Sequence, residues 1–322
     1  MRRRDLSLAL PFLALPTAAR AQAFPTRQIT MIVPFPPGGQ ADLAARPVAA
    51  GMEQALGQAV VIQNRGGAGG AIGNAAVARA PADGYTVLMA LSSLAVLPEA
   101  DRLFGRPPQY EMYQLVPIGR VLADPTMLAV RADSPWTTLE EFVAAAKAAP
   151  GSIPYGSSGT YGTLHVAMEM FAHAASIRLL HVPFQGAGPA LTALIGGQVR
   201  ALASAPGTLT QHVREGRMRV LACWGAERVP AFPEVPTFLE RGFAGVEFYI
   251  WAGLFAPAGT PQPVQEKLRE GLAAAMRSPI AVRAFETAGS PPAWLDQPDF
   301  ARFVAADSAR LLTAVRAIGK VE

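Results

Sequence analysis

VPFPPGGQADLAAR (residues 33–46) starts as the end of an apolar strand, passes through a proline- and glycine-rich turn, and continues as the first turns of a helix. A glycine-rich strand-to-helix turn leaves free backbone N–H groups at the positive end of the helix dipole, and so suits an anion. The same pattern recurs in NRGGAGGAIG (64–73), YGSSGTYGTLH (155–165) and HVPFQGAGPA (181–190). Short apolar or β-branched runs read as strands: ITMIV (29–33), VVIQ (60–63), TVLMA (86–90), MLAV (127–130), IPYG (153–156), LLHVP (179–183), ALAS (201–204) and RVLACW (219–224). Alanine-rich stretches of helical period lie between most of them, which predicts βαβ units in an α/β fold.

The alternation fails twice, at about residues 97–120 and again at 227–248, where prolines and charges replace any sustained period. Two breaks around a central block predict two lobes, each a mainly parallel sheet flanked by helices, with two interlobe crossings. Residues 24–123 and 244–322 are assigned to lobe 1 and residues 124–243 to an inserted lobe 2. One continuous doubly wound sheet is the competing reading. Thr137 with Glu140 reads as a capping box ahead of FVAAAKAA. Thr260 reads as the N-cap ahead of Pro261, with Val264, Leu268, Leu272 and Met276 as the core stripe of the helix that follows.

The chain has 322 residues, 51% of them hydrophobic and 16% charged, a globular composition. Its first residues combine charged MRRRD, apolar LSLALPFLALPTAA (6–19) and small residues at Ala19, Ala21 and Ala23. That is the pattern of a cleaved signal peptide over residues 1–23, and Arg3-Arg4 leaves the Sec and Tat export routes both open. Four arginines and one aspartate in this segment carry +3 of the formal charge of +4, so the remainder is nearly neutral. No basic run is left for nucleic acid. The single cysteine, Cys223, lies in an apolar run and reads as a buried strand residue in a protein without a disulfide.

The enzymatic readings of the turns fail on spacing. A P-loop requires a lysine, and Lys147, Lys267 and Lys320 all lie elsewhere. Gly67, Gly69 and Gly73 miss the dinucleotide fingerprint by one residue, and GSSG (156–159) is no nucleophile elbow. Histidines 165, 173, 181 and 212 show no metal-ligand spacing, so neither a metal nor a cofactor is called for. His165 either turns a ring N–H toward a cleft or bonds Glu169 one turn on. Asp42, in the first turn of its helix, reads as dipole complementation rather than a general base. Arg65 reads as either a counter-ion for a ligand carboxylate or a surface brace. A serine hydrolase using Ser157 or Ser158 with His165 is the catalytic alternative.

Taken in order, VPFPPGGQADLAAR, NRGGAGGAIGNAAVARAPADGYTVLM, YGSSGTYGTLHVAMEMF, HVPFQGAGPALTALIGGQV, RVPAFPEVPTFLERGF and WAGLFAPAGTP resemble the Bug family from about residue 25 onward. These are the substrate-binding proteins of tripartite tricarboxylate transporters. The resemblance implies a periplasmic two-lobed binding protein, type II-like in its crossings, that closes on a small carboxylate and delivers it to membrane permease subunits. It implies no catalysis, and a monomer is expected. A sensor for a signalling membrane partner is the other non-catalytic reading. By the resemblance, backbone amides of two loops hold the carboxylate, with Phe35, Pro36, Gly38 and Gly39 forming one wall of the site, and Ser157, Ser158, Gly159, Thr160 and Thr163 the other. Ser92, Ser93 and Ser204 occupy the same strand-end edge, and Tyr161 and His165 complete the expected set. The sequence departs from the family at DRLFGRPPQYEMYQLV (101–116), at Gln185 where lysine is common, and at Tyr161, a phenol expected to shrink the pocket or stack on a flat ring.

Overall fold

The computed structural model describes residues 24–321, so the expected signal segment at 1–23 lies outside the described residues. The strands are β1 Ile29–Val33, β2 Val60–Asn64, β3 Thr86–Leu91, β4 Leu115–Pro125, β5 Met127–Arg131, β6 Pro154–Ser157, β7 Leu180–Pro183, β8 Ala201–Ser204, β9 Met218–Cys223, β10 Tyr249–Pro257 and β11 Leu295–Asp296. The helices are α1 Gln40–Leu56, α2 Ala71–Ala78, α3 Leu97–Leu103, α4 Leu139–Ala148, α5 Thr163–Ala175, α6 Ala187–Ile195, α7 Pro206–Arg214, α8 Gln262–Arg277, α9 Pro279–Ala288 and α10 Gln297–Ile318. Among the described residues no helix is long and apolar enough to cross a membrane.

The strands form two sheets, ordered β11-β4-β10-β3-β1-β2 and β7-β6-β8-β5-β9. Each contains a parallel trio, β2-β1-β3 in the first and β7-β6-β8 in the second. Antiparallel strands complete both: β4, β10 and β11 in the first, β5 and β9 in the second. The sheets are therefore mixed rather than mainly parallel, and the parallel character is confined to the segments where strand, turn and helix alternate. All eight runs read as strands from the sequence are strands. The other three are β4, β10 and the two-residue β11, and the two long ones were hidden for different reasons. β4 contains Pro117 and Pro125, and Pro117 sits beside a register shift in its pairing with β10, where a missing N–H is tolerated. β10 is buried over eight of its nine residues and so lacks the alternation that marks a half-exposed strand.

These two strands carry the chain between the sheets. Only Thr126 separates β4 of the first sheet from β5 of the second. Thr126 N–H donates to Phe248 O at 3.1 Å, and its carbonyl accepts from Trp224 N–H at 2.8 Å. Phe248 N–H in turn donates to Trp224 O at 3.0 Å, so the outgoing and returning crossings are hydrogen-bonded side by side. Asp124, two residues before Thr126, is 3% exposed and accepts from the side-chain amide of Gln40. Burial pushes its pKa up to about 7, against a smaller opposing effect of the Ser290 hydroxyl.

Two helix ends differ from expectation. The capping box on α4 uses Thr138 and Glu141: Glu141 N–H donates to Thr138 Oγ1 at 3.2 Å, and Thr138 N–H to Glu141 Oε2 at 3.2 Å. Both Thr137–Glu140 and Thr138–Glu141 have the right spacing, and the later pair captures the helix. Thr260 donates its hydroxyl to Pro257 O at 2.8 Å instead of capping α8, whose N-cap is Pro261. Leu268, Leu272 and Met276 are buried as the stripe required, with Val264 half-buried.

Helix α8 packs on α1 through Gly51, where an added Cβ would stand 2.6 Å from the Ala275 Cα. Gly51→Ala improves helix propensity by about 1 kcal/mol but forces the two helices apart, at a cost of about 1–3 kcal/mol. The variant is expected to melt below the wild type; a higher melting temperature would show that this contact does not set the helix spacing.

Asp124 supplies a pH signature. Its folded pKa lies above the unfolded value of about 4, so the native state holds the extra proton, and stability falls as pH rises from about 4 to about 7. Asp124→Asn keeps the shape and removes the titration. Its stability relative to wild type should rise by about 2–4 kcal/mol across that window and then level off. Equal differences at pH 4 and pH 8 in denaturant melts would contradict the account.

Candidate functional site

The loop between β1 and α1 is held from behind. Gly38, at φ +83°, directs its N–H to Asp42 Oδ2 at 3.0 Å. Asp42 also accepts from Arg46 Nε at 2.8 Å and Nη2 at 3.0 Å, and from Asn64 Nδ2 at 3.1 Å. Burial alone would raise its pKa, but the Arg46, Gly38 and Asn64 hydrogen bonds hold it below the usual carboxylate value. Asn64 spends its other amide hydrogen on Phe35 O at 3.0 Å. Asp42 is thus the brace of the turn. Arg65 is exposed, with its backbone N–H bonded to Val33 O.

Across the junction, the turn after β7 closes against this loop at a glycine, and the turn after β6 closes against the loop after β2 at another. A Cβ on Gly186 would lie 2.8 Å from Pro36 Cδ, and one on Gly159 would lie 2.9 Å from the Gly69 nitrogen. The two sheets therefore meet backbone to backbone. Between them is an enclosed cavity of about 10 Å³, space for one water. Phe35, Gly39, Gln40, Ala41, Leu91 and Ile250 border it from the first sheet's side. From the second come Ser158, Thr163, Leu164, Ala187, Ser204 and Ala205.

No side chain bordering the cavity is charged. Three helices begin at it instead: α1 after Gly39, α5 after Gly162 and α7 after Ala205. Their N-termini bring partial positive charge and free N–H groups. Ser158 Oγ, Thr163 Oγ1 and Gln40 Oε1 are buried there with no hydrogen-bond partner, and Ser92 Oγ, at the end of β3, is in the same condition. A buried polar atom without a partner costs about 1–3 kcal/mol. Several on one otherwise mostly apolar cavity, from two lobes, are polar positions left for something other than protein.

The expected site residues separate into groups. Phe35, Gly39, Ser158, Thr163 and Ser204 border the cavity, with Ser204 Oγ sharing a hydrogen with Thr208 Oγ1 at 2.6 Å. Pro36 forms the contact with Gly186, and Ser93 donates to Gly69 O at 3.3 Å. Gly159, Thr160 and Tyr161 line a more open groove of about 590 Å³ at the rim, facing Arg106 and Gln185. Tyr161, at φ +55°, does not bring its phenol to the cavity: the hydroxyl donates to Gly319 O and accepts from Val321 N–H at 3.2 Å. Its ring meets Phe104 edge-on at 5.8 Å.

Ser157 and His165 lie behind the cavity wall. Ser157 Oγ is 2.6 Å from His181 Nε2, and His165 Nδ1 accepts from Tyr161 N–H at 2.9 Å. The expected His165–Glu169 bond is not made, because Glu169 accepts from the Tyr155 hydroxyl. Burial, aided by the neighbouring His181, holds His165 well below its ordinary value, and burial pushes His181 down to about 4. Both are neutral near pH 7, with ring centroids 4.0 Å apart. Among the described residues no carboxylate orients either ring, so the serine-histidine arrangement of a hydrolase is not assembled.

Sequence reading missed Gln40 and Ile250, and with them the apolar Ala41, Leu91, Leu164, Ala187 and Ala205. Gln40 follows the Gly38-Gly39 turn directly, so a polar first-turn residue facing a helix N-terminus was a usable signal. Ile250 offered none, since β10 itself went unrecognised.

A profile of the tripartite tricarboxylate transporter family receptor matches residues 44–320. Protein BugT of Bordetella pertussis is 35% identical over 300 residues, covering 93% of this chain and 91% of that protein. The solved structure of the periplasmic binding protein BugD is 32% identical, covers 92% of this chain and 99% of its own, and superposes with a TM-score of 0.86. An R. palustris protein solved with adipate is 31% identical, covers 92% and 98%, and gives a TM-score of 0.84. The chain belongs to the tripartite tricarboxylate transporter receptor family, whose members are periplasmic solute-binding proteins and not enzymes.

Proposed function

We propose that the protein captures a small carboxylate-bearing solute between its two lobes and delivers it to the membrane permease of a tripartite tricarboxylate-type transporter. The observation that carries the reading is the pair of unpartnered buried hydroxyls on Ser158 and Thr163, gathered on one cavity where α1, α5 and α7 begin. Helix N-termini without a neighbouring lysine or arginine suit a carboxylate held by main-chain N–H groups. Adipate in the R. palustris relative supports the same class of ligand.

Lobe 1 comprises residues 24–123 and 244–322, and lobe 2 residues 124–243, working as a monomer after removal of residues 1–23 on export to the periplasm. Phe35, Gly39, Ser158, Thr163 and Ser204 contact the ligand. Pro36, Gly38, Gly159 and Thr160 shape the loops that close on it, and hinge bending at the Thr126 crossing opens them.

Calorimetry and thermal shift with a carboxylate panel including adipate, succinate, malate, aspartate and citrate test the reading. The expected result is saturable, reversible binding with every acid recovered unchanged. Consumption of an acid, or failure of all of them to bind, would overturn it.

Closure has its own test at Gly186, whose backbone is extended and accepts any residue, but whose added Cβ would meet Pro36. Gly186→Ala should weaken binding about tenfold or more by depleting the closed form, while the far-ultraviolet circular dichroism of the free protein stays the same. Unchanged affinity would mean that the ligand is held without the Pro36–Gly186 contact.

A further inference from the structure

Gln40 stands out among the residues bordering the cavity because its side chain is committed at one end and free at the other. It is 3% exposed, in the first turn of α1. Its Nε2 donates to Asp124 and lies 3.4 Å from Ser290 Oγ, while Oε1 has no partner. The direction of the amide follows from its neighbour. Above pH 7, where Asp124 is ionised, its carboxylate accepts hydrogen bonds and cannot donate them, so the NH2 group must face Asp124 and the carbonyl must face away.

What Oε1 faces is equally defined. Gly207, in the first turn of α7, stands so close that an added Cβ would be 3.0 Å from Gln40 Oε1 and 2.8 Å from Ser290 Oγ. Lobe 2 thus closes over this oxygen with a glycine, which brings no side-chain donor to it. The hydroxyls of Ser158 and Thr163 can donate or accept, and the helix N-termini donate. The Gln40 carbonyl oxygen can only accept. A carboxylate oxygen placed against it would set acceptor on acceptor, so a carboxylate is held at the helix N-termini and something else must lie at Gln40.

We infer that Gln40, oriented by Asp124, selects ligands that carry a hydrogen-bond donor beside the carboxylate, a hydroxyl or an amine, over the same acids without one. The inference rests on the carboxylate-capture reading above and narrows it to hydroxy and amino acids. Gln40 meets the ligand, and Asp124 acts through it as a positioning residue. Asp124 needs no contact with the ligand: its hydrogen bond prevents the amide from turning over and offering its NH2 group to a second carboxylate.

Succinate, malate and aspartate form a matched set that differs at one carbon, and calorimetry at pH 8 keeps Asp124 ionised, above its value of about 7. Malate or aspartate should bind about tenfold or more tightly than succinate, and which of the two does so identifies the donor as hydroxyl or amine. Gln40→Met, which keeps the length and removes the acceptor, should bring the ratio close to one. Asp124→Asn, which can present either face of its own amide to Gln40, should narrow it. A purely structural role for either residue would weaken all three acids alike and leave the ratio unchanged, overturning the inference. Equal binding of the three acids by the wild-type protein would overturn it too while leaving carboxylate capture intact. Failure of every acid in the wider panel would remove both.

Discussion

The antiparallel pairing of β4 with β10 is the constraint on which the rest of the molecule depends. Both strands belong to the first sheet; β4 reaches the second across Thr126 alone, β10 is entered from it through the segment 224–248, and the hydrogen bonds among Thr126, Trp224 and Phe248 tie the two passages together. With the crossings fixed side by side, the turns at the ends of β1 and β3 face those at the ends of β6, β7 and β8. The cavity between them is a product of that alignment. A protein with a single crossing would leave its lobes free to twist, and the buried hydroxyls from the two sides would meet in no fixed arrangement.

The site built at this junction avoids charged side chains. Asp42 and Arg46 neutralise one another behind the first loop, and the cavity itself meets three helix N-termini and neutral polar groups. Partial charges fixed in the backbone need no reorganisation when a ligand arrives, and they add no long flexible side chain that would lose entropy on closure. Glycine at positions 159 and 186 follows from the same economy. Main chain can approach main chain, and therefore ligand, only where no Cβ intervenes.

Much of this was legible in the sequence wherever local chemistry decides structure. The turn at 33–39 and the turn at 155–162 are announced by glycine and proline, and the eight strand runs by their β-branched or apolar content. Tertiary context hid the rest. β10 is buried on both faces and has no period, and β4 carries prolines that normally argue against a strand. Tyr161 and His165 could be placed in the right loop, but the Gly319–Val321 segment that captures the Tyr161 hydroxyl lies about 160 residues away. Ser157 likewise found His181, 24 residues on, across two parallel strands. Pairings of that kind depend on which strands become neighbours, and no spacing rule along the chain encodes them.

Two crossings held side by side act mechanically like two pins on one hinge line. Any opening is then rotation about that line, and displacement grows with distance from it. Gln40, bonded to Asp124 two residues from Thr126, sits near the axis and travels little. The groove lined by Arg106, Thr160 and Gln185 lies at the rim, where the lever arm is long. On the proposed capture of a solute, the inner end of the cleft then serves as a gauge of fixed dimension, and the outer end as a jaw whose gap follows the length of what it grips.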